Sequence, residues 1–410
     1  MAFFLIVIGL TGSLIVFYPE LDGLLNPLPK VATRDRPLLG ASTLREHALA
    51  AVPHGMVNNL NFEVKAKEAY LVSFEPRLDP ASGKPYDLGL SVIYLDPYSG
   101  AEISRRQYSD DVWPITRQNF MPVINRLHYQ MALPGSIGSY LFGIVALVWT
   151  LDCFVSGYLT FPVSIRRRKE GDAAPAKVMR KHWLARWWKP SWLVKWNGSA
   201  LRINFDLHRA GGLWFWVMLL AFAWSSVGFN LYEEVYRPVM KAVFNMPDPI
   251  AHFPKLATPR PEPGIGIEEA HTLARRMMAE QAAKNGFTIQ HEASLSYLSD
   301  LGAYMYFVRS DRDQTDHGAA TYIVFDAFNG RFGAINIPTG ANAGSTIDSW
   351  IFALHMAQIW GLPFRIFVAA MGLLIIMLSI TGTYIWWKKR RARNSRSTRM
   401  NKAAAVAIGT

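Results

Sequence analysis

The sequence predicts an integral membrane α-helical protein, a four-helix transmembrane bundle that carries two α+β modules outside the membrane. Three observations predict this class. Hydrophobic residues make up 50% of the 410 residues, and they gather in runs near the ~20-residue length that crosses a bilayer as a helix. Two long polar segments separate these runs. The second half of the chain also repeats the order of the first, which indicates an internal duplication.

The predicted boundaries follow the apolar runs. In chain order they are transmembrane helix 1 at 1–19, a first module at 20–125, a histidine-bearing segment with transmembrane helix 2 at 126–163, a basic loop at 164–206, transmembrane helix 3 at 207–231, a second module at 232–345, a histidine-bearing segment with transmembrane helix 4 at 346–387, and a basic tail at 388–410. Within the modules, periodicity predicts helices at 44–52 and 268–283 and strands at 60–74, 88–103, 303–309 and 321–325.

Basic residues predict the orientation. The runs at 166–169 and 388–391 follow predicted helices 2 and 4, and cytoplasmic loops collect Lys and Arg. We therefore expect the loop 164–206 and the C-terminus in the cytoplasm, and both modules in the periplasm of a bacterium, on a multi-pass inner-membrane protein. The net charge of +12 then reflects contact with membrane lipid and does not indicate nucleic acid.

The two modules match where turn chemistry is specific. The run 93–100 ends Asp-Pro-Tyr-Ser-Gly, and the run 323–330 ends Asp-Ala-Phe-Asn-Gly. Asp, Ser, Asn and Gly at these positions suit a tight turn after a strand. A single cysteine, Cys153, excludes an intramolecular disulfide and a cysteine-ligated cluster, and we expect it to be a small buried residue of helix 2.

Two Leu-His pairs provide the candidate site. His128 and His355 each lie in a short amphipathic segment that Pro and Gly interrupt just before helix 2 and helix 4. An imidazole at the mouth of a bilayer is costly unless its nitrogen atoms are bonded. Two such histidines facing each other would suit the axial positions of a haem iron. The alternative is that each imidazole caps a helix or donates to a carbonyl.

His208 begins helix 3 at the cytoplasmic side and is a third candidate ligand. By the repeat, an equivalent histidine should begin helix 1. His208 lies 25 residues before Glu233, and the equivalent of Glu233 in the first half is Glu20. A position 25 residues before Glu20 falls before Met1. Either the chain starts late or an inner haem lacks its second ligand. We expect the late start, because helix 1 is also short.

Three charged residues accompany these histidines. Asp152 lies inside helix 2, where a carboxylate is costly. It could pair with Arg209, accept a hydrogen bond from a ligand imidazole, carry protons, or join two helices. Arg126 and Arg365 flank the outer histidines and could bind haem propionates, or could instead anchor to lipid headgroups.

The turn motifs, the Leu-His segments, the run 204–209 and the pair Thr381-Gly382 together resemble the PepSY-associated transmembrane helix family of iron-regulated bacterial membrane proteins. The resemblance covers nearly the whole chain. It implies that the periplasmic modules are PepSY-like and that two b haems lie among four helices. It also implies the activity of an inner-membrane ferric-siderophore reductase, with hydroxamates such as ferrioxamine as substrates.

The combined prediction is a transmembrane oxidoreductase that reduces a periplasmic ferric siderophore and releases Fe(II) for iron uptake. His128 and His355 would hold the outer haem and His208 the inner one. The sequence has no G-x-G-x-x-G after a strand and no P-loop, so we expect electrons from a membrane quinol or a separate cytoplasmic donor. The alternatives are a non-catalytic PepSY membrane protein that binds or inhibits periplasmic proteins, and a siderophore transporter.

Overall fold

The computed structural model describes residues 1–107, 112–161, 188–251 and 253–408, with side chains to residue 395. The chain forms two compact units. The helix unit contains Met1–Phe17, Ile124–Tyr236 and Leu362–Thr410, and the sheet unit contains Tyr18–Val123 and Arg237–Gly361. The predicted basic run 166–169 lies outside the described residues.

The helices and strands occur in separate runs along the chain. The α-helices, in chain order, are α1 (Ala2–Ile15), α2 (Tyr18–Leu25), α3 (Ala41–Ala51), α4 (Phe120–Gln130), α5 (Ile137–Thr160), α6 (Ala200–Trp214), α7 (Trp216–Asn230), α8 (Arg237–Phe244), α9 (Ile267–Asn285), α10 (Ala343–His355) and α11 (Gly361–Ile408). The strands are β1 (Gly55–Met56), β2 (Asn59–Asn61), β3 (Tyr70–Ser73), β4 (Glu75–Pro76), β5 (Val92–Leu95), β6 (Glu102–Arg106), β7 (Ile289–Leu298), β8 (Ala303–Ser310), β9 (Thr321–Asp326) and β10 (Phe332–Asn336).

Two to four membrane spans are available in the described residues. The helix α5 and the part Gly361–Ser395 of α11 are each long and apolar enough to cross a bilayer. Two more spans result if α1 with α2, and α6 with α7, each count as one broken span. The predicted helix 3 is thus two helices, bent by 73° at Phe215. The protein is a helical membrane protein with additional α+β sheet regions.

Helices α1 and α11 approach each other closely in the helix unit. A Cβ atom at Gly9 would lie 2.7 Å from the Gly372 carbonyl oxygen, so the two backbones touch. Ser13 Oγ donates to the Ala369 carbonyl at 2.9 Å. Small residues of this kind let membrane helices pack backbone to backbone. This contact fixes the face of α1 that carries the candidate site.

The sheet unit contains a five-stranded antiparallel sheet in the order β10-β9-β8-β7-β2. Strand β2 comes from the first extramembrane segment and pairs with β7 of the second, with Leu60 opposite Leu295. Helix α9 covers this sheet, and its Ala270, Ala274 and Met278 are fully buried in the core. The two segments therefore share one sheet.

A three-stranded sheet, β3-β5-β6, packs under α3 in a second core that includes Leu44 and Ile93. The predicted strand 60–74 was wrong as one element, because β2 and β3 belong to different sheets. Phe62, between them, packs against both cores. The two cores of the sheet unit are therefore continuous.

Both predicted turns are confirmed. The Asp96 carboxylate accepts from the N–H groups of Tyr98 at 2.8 Å and Ser99 at 3.1 Å. The Asp326 carboxylate accepts in the same way from the N–H groups of Phe328 at 2.8 Å and Asn329 at 3.0 Å. Burial alone would raise the pKa of Asp96, but the two N–H groups and Arg34 outweigh it and lower that pKa below its usual value. Gly100 follows with φ of +71°.

Candidate functional site

His128 lies on α4 in the helix unit and contacts α1. Its Nδ1 is 3.1 Å from Thr11 Oγ1. The Thr11 hydroxyl already donates its proton to the Val7 carbonyl at 2.7 Å, so towards the imidazole it accepts. The ring also hydrogen-bonds the Ile8 carbonyl. The Thr11 hydroxyl, as an acceptor, places the hydrogen of the neutral imidazole on Nδ1.

His208 lies on α6 and contacts α11 in the same way. Its Nδ1 is 3.0 Å from the Leu378 carbonyl oxygen and 3.2 Å from Thr381 Oγ1. A carbonyl oxygen only accepts, and Thr381 donates its own proton to the Met377 carbonyl at 2.8 Å. His208 therefore also carries its hydrogen on Nδ1.

The two histidines occupy the same kind of recess, which we name a ring notch. Each notch consists of a helix glycine, the threonine before it and the carbonyl four residues before it. A Cβ atom at Gly12 would lie 2.9 Å from His128 Cε1, and one at Gly382 would lie 2.9 Å from His208 Cε1. Only glycine lets the imidazole come this close.

The ring notch leaves each imidazole in the form that binds iron. With the hydrogen held on Nδ1, Nε2 carries the lone pair. Haem-ligating and metal-ligating histidines commonly donate the other ring N–H to a carbonyl or a similar acceptor, which fixes the tautomer and raises ligand basicity. The donor set of both notches therefore fits an axial haem ligand.

A third ring notch holds a tryptophan. Trp216 Nε1 donates to the Cys153 carbonyl at 2.7 Å, and a Cβ atom at Gly157 would lie 3.2 Å from this nitrogen. Cys153 is again four residues before the glycine, and Ser156 takes the place of threonine. An indole N–H only donates. The recess at Gly157 thus holds a ring N–H donor, as the two histidine notches do.

His355 ends α10 and belongs to the sheet unit. The turn after it is held by Asp316, which accepts from the Gly361 N–H at 2.6 Å. Ala357 and Trp360 in this turn have φ of 52° and 57°, a conformation that costs energy for residues other than glycine. The pairing of His355 with His128 on one haem stays a prediction.

The two candidate propionate ligands are both partly buried. Arg365 Nε and Nη2 donate to the Val16 carbonyl at 3.0 and 2.6 Å, and the guanidinium lies over the Phe17 ring. These bonds satisfy the C-terminal end of α1. Arg126 precedes His128 by two residues on α4. Propionate binding by either arginine stays a prediction.

Pairing of Asp152 with Arg209, one of four alternatives for this carboxylate, is not formed among the described residues. Arg209 Nη2 donates to Asp206 at 3.0 Å and to the Pro190 carbonyl at 2.6 Å. Asp206 is completely buried and also accepts from Arg202 Nε at 2.8 Å. Asp152 is exposed, and neither a hydrogen bond nor an ion pair joins it to another described residue. It therefore accepts no bond from a ligand imidazole of the described chain.

The sequence reasoning missed Thr11 and Gly12 as site residues, although it noted Thr381-Gly382. A signal was present, because Leu-Thr-Gly-Ser in α1 and Ile-Thr-Gly-Thr in α11 share the Thr-Gly pair. Asp206 was also missed. Among the described residues, no group of three or more His, Cys, Asp or Glu side chains could hold a metal ion on its own. A haem iron needs only two protein ligands, since the porphyrin supplies the other four.

The sheet unit contains a separate pocket of about 890 Å³, within the size range of small-molecule sites. The rings of His54 and Tyr86 stack in its wall at 4.1 Å. Arg77, bonded to Glu262, and a proline-rich stretch that includes Pro259 complete the lining. The pocket combines planar, apolar and cationic surfaces.

Comparison with known proteins identifies the family. Residues 1–389 match the PepSY-associated TM region. No match to the chain is found among curated proteins. The family match covers almost all of the helices and both ring notches that hold histidines. The chain therefore belongs to the family of the PepSY-associated transmembrane region.

Proposed function

We propose that this protein is a haem-containing inner-membrane reductase that passes electrons to a periplasmic ferric siderophore and releases Fe(II). One observation carries the proposal. His128 and His208 are each held in a ring notch as the Nδ1–H tautomer, with Nε2 as the basic nitrogen. A neutral imidazole with a fixed tautomer is the haem ligand of electron-transfer proteins.

The candidate histidines would bind two different haems. His128, with His355, would hold the outer b haem, and His208 would hold the inner one. Bound haem supplies one-electron Fe(III)/Fe(II) chemistry. Two histidine ligands on one iron would leave no open site for oxygen, and the notches would hold the imidazoles of His128 and His208 in one orientation. Arg126 and Arg365 would bind propionates.

In the proposed function, both extramembrane segments lie in the periplasm. The pairing of β2 with β7 supports this, because strands of one sheet must lie on the same side of a membrane. The basic run 388–391 after the apolar part of α11 supports a cytoplasmic C-terminus. The ring notches of Gly157 in α5 and Gly382 in α11 lie in the two helices that the repeat makes equivalent, which supports the internal duplication.

The proposed substrate is a ferric hydroxamate such as ferrioxamine. Hydroxamate oxygens are hard ligands that hold Fe(III) more tightly than Fe(II). One electron per iron therefore weakens the chelate and releases the metal. The two alternative functions, a non-catalytic PepSY protein and a siderophore transporter, need no haem, so haem content separates them from the reductase.

The test is haem stoichiometry in detergent-purified protein, from absorbance spectra before and after dithionite. We expect bound b haem in the wild type and less haem in His128→Ala and in His208→Ala. His271→Ala is the matched control, because His271 lies in the sheet unit and bonds Glu292 at 3.0 Å. Anaerobic mixing of the reduced protein with ferrioxamine should then release Fe(II). A colourless wild type from haem-replete cells would reject the proposal.

A further inference from the structure

Two stretches of the sheet unit carry large apolar side chains that are exposed. One stretch is α2 with the residues just after it, and the other is the run that leads into α4. Their exposed apolar residues, which we name the apolar rim, are Leu24, Leu28, Trp113, Ile115 and Phe120. Leu24 is 77% exposed and Trp113 is 76% exposed. Exposed apolar side chains that occur together mark a contact with another protein or with a membrane.

Hydrogen bonds hold the two stretches against each other. Arg117 donates from Nε to the Leu25 carbonyl and from Nη2 to the Leu24 carbonyl at 3.5 Å. In return, Asn26 Nδ2 donates to the Arg117 carbonyl at 3.0 Å. Because the last carbonyls of a helix have no partner within it, these bonds also cap the C-terminal end of α2. The two halves of the apolar rim are therefore neighbours.

A second set of bonds joins both stretches to the three-stranded sheet. Arg106, the last residue of β6, donates from Nη2 to the Gln118 carbonyl at 2.6 Å. Its Nη1 lies 3.4 Å from the carboxylate of Asp22 on α2. The side chains of Arg106 and Asp22 are only 11% and 17% exposed, so water screens this ion pair little. The apolar rim is thus fixed to the core of the sheet unit.

The direction of α2 keeps the rim close to the level at which α1 ends. The chain enters α2 directly from the apolar α1, and the two helix axes differ by 71°. Helix α2 has eight residues, a length of ~12 Å, of which a 71° bend leaves only ~4 Å along the axis of α1. The headgroup layer on each side of a bilayer is ~5–8 Å thick. An α1 axis near the bilayer normal therefore leaves Leu24 at the level of the headgroups.

The composition of this region also suits a lipid surface. Glu20 and Asp22 on α2 are too costly for the hydrocarbon core, so α2 does not extend the span of α1. Leucine side chains on a short helix beside the membrane, together with an exposed tryptophan, are typical of segments that lie in the interface plane. A protein partner would also cover apolar side chains, but the direct continuation of α1 into α2 favours lipid.

We propose that the apolar rim inserts into the boundary between headgroups and acyl chains and so anchors the sheet unit to the bilayer surface. The occupant of this surface is phospholipid. Leu24, Leu28 and Ile115 contact the upper part of the acyl chains, and the Trp113 indole N–H donates to headgroup oxygens. This anchoring goes beyond the proposed function and needs no haem.

The experiment measures the depth of single spin labels on the full-length protein in phosphatidylethanolamine and phosphatidylglycerol nanodiscs. Leu24→Cys and Trp113→Cys are each made in a Cys153→Ala background and labelled with a nitroxide. Leu78→Cys is the matched control, because Leu78 is an apolar residue of the sheet unit outside the rim and is 53% exposed. Power-saturation EPR then compares collisions with oxygen and with a polar nickel complex.

The polar nickel complex is costly to transfer into apolar surroundings, so we expect the oxygen-to-nickel ratio to be about tenfold higher at positions 24 and 113 than at 78. Equal ratios at the three positions would overturn the proposal. Labels at 24 and 113 that are shielded from both reagents would also overturn it, and would indicate a protein neighbour such as a second copy. A labelled variant whose circular-dichroism melt departs from wild type is replaced by Leu28→Cys or Ile115→Cys. Haem content does not enter the measurement, so failure of the reductase proposal would leave this test unaffected.

Discussion

The Cα of Gly12 lies so close to the His128 imidazole that an added Cβ would stand 2.9 Å from Cε1. Real Cβ atoms essentially never approach another heavy atom closer than about this distance, since van der Waals contact between carbons lies near 3.5–4.0 Å. The close approach brings Nδ1 to the Thr11 hydroxyl and keeps the ring in one orientation. The same distance recurs between Gly382 and His208.

We therefore expect Gly12→Ala and Gly382→Ala each to weaken haem binding at one site. The added methyl group would push the imidazole out of its notch, and loss of such outer-shell support commonly costs 10–100-fold in affinity. Haem transfer to apomyoglobin measures the change. Gly212→Ala is the control, because nothing lies within 4 Å of its Cβ position. Equal haem retention in Gly12→Ala and Gly212→Ala would contradict the role of the notch.

Removal of the notch hydroxyl should change the haem potential rather than the fold. Thr11→Val deletes an acceptor of the His128 Nδ1–H, so the imidazole becomes less basic and stabilises Fe(III) less. We expect a higher midpoint potential in a spectroscopic redox titration, and recovery in Thr11→Ser. Thr383→Val is the control, because among the described residues Thr383 bonds the Ser379 carbonyl of its own helix. An unchanged potential in Thr11→Val would show that the hydroxyl does not tune the ligand.

The buried carboxylate of Asp206 should be the main electrostatic support of α6. Asp206→Asn removes the negative charge that Arg202 and Arg209 share, and because Arg202 is half exposed and Arg209 also bonds the Pro190 carbonyl, we expect a loss of about 1–3 kcal/mol. We expect a clear loss of thermal stability in detergent. Asp300→Asn is the comparison, since its pair with Lys255 is exposed and should contribute under about 1 kcal/mol. Similar losses in the two variants would contradict this assignment.

Glu292 should make the stability of the sheet unit depend on pH. Burial alone would raise its pKa, but the hydrogen bonds from His271 and Tyr306 and the charge of Arg275 lower that pKa below the usual 4.5. A lowered folded-state pKa stabilises the fold above the unfolded pKa, and the stabilisation is lost as pH falls through the folded value. Glu292→Gln should therefore lower the melting temperature at pH 7 and have less effect below pH 4. A pH-independent difference would contradict this coupling.

Local chemistry was predictable from the sequence, but long-range pairing was not. The turns after Asp96 and Asp326 follow from residues within five positions, so the motif was sufficient. The contact of His128 with Thr11 joins residues 117 positions apart, and periodicity does not show which helix a face meets. The bend at Phe215 was hidden because the apolar run continues through it. The run 60–74 was predicted as one strand because the sequence does not show that Leu60 pairs with Leu295, in a different sheet from β3.

The pairing of Leu60 with Leu295 also sets an order of assembly during synthesis. Strand β2 leaves the ribosome well before β7, and at 5–20 residues per second the interval is roughly 10–50 s. Throughout that interval the first extramembrane segment has an unpaired strand edge, which invites aggregation. A chaperone that protects this edge would raise the yield of folded protein, and a truncation that ends before β7 should be degraded. Translation speed between α4 and α9 thus becomes a determinant of biogenesis.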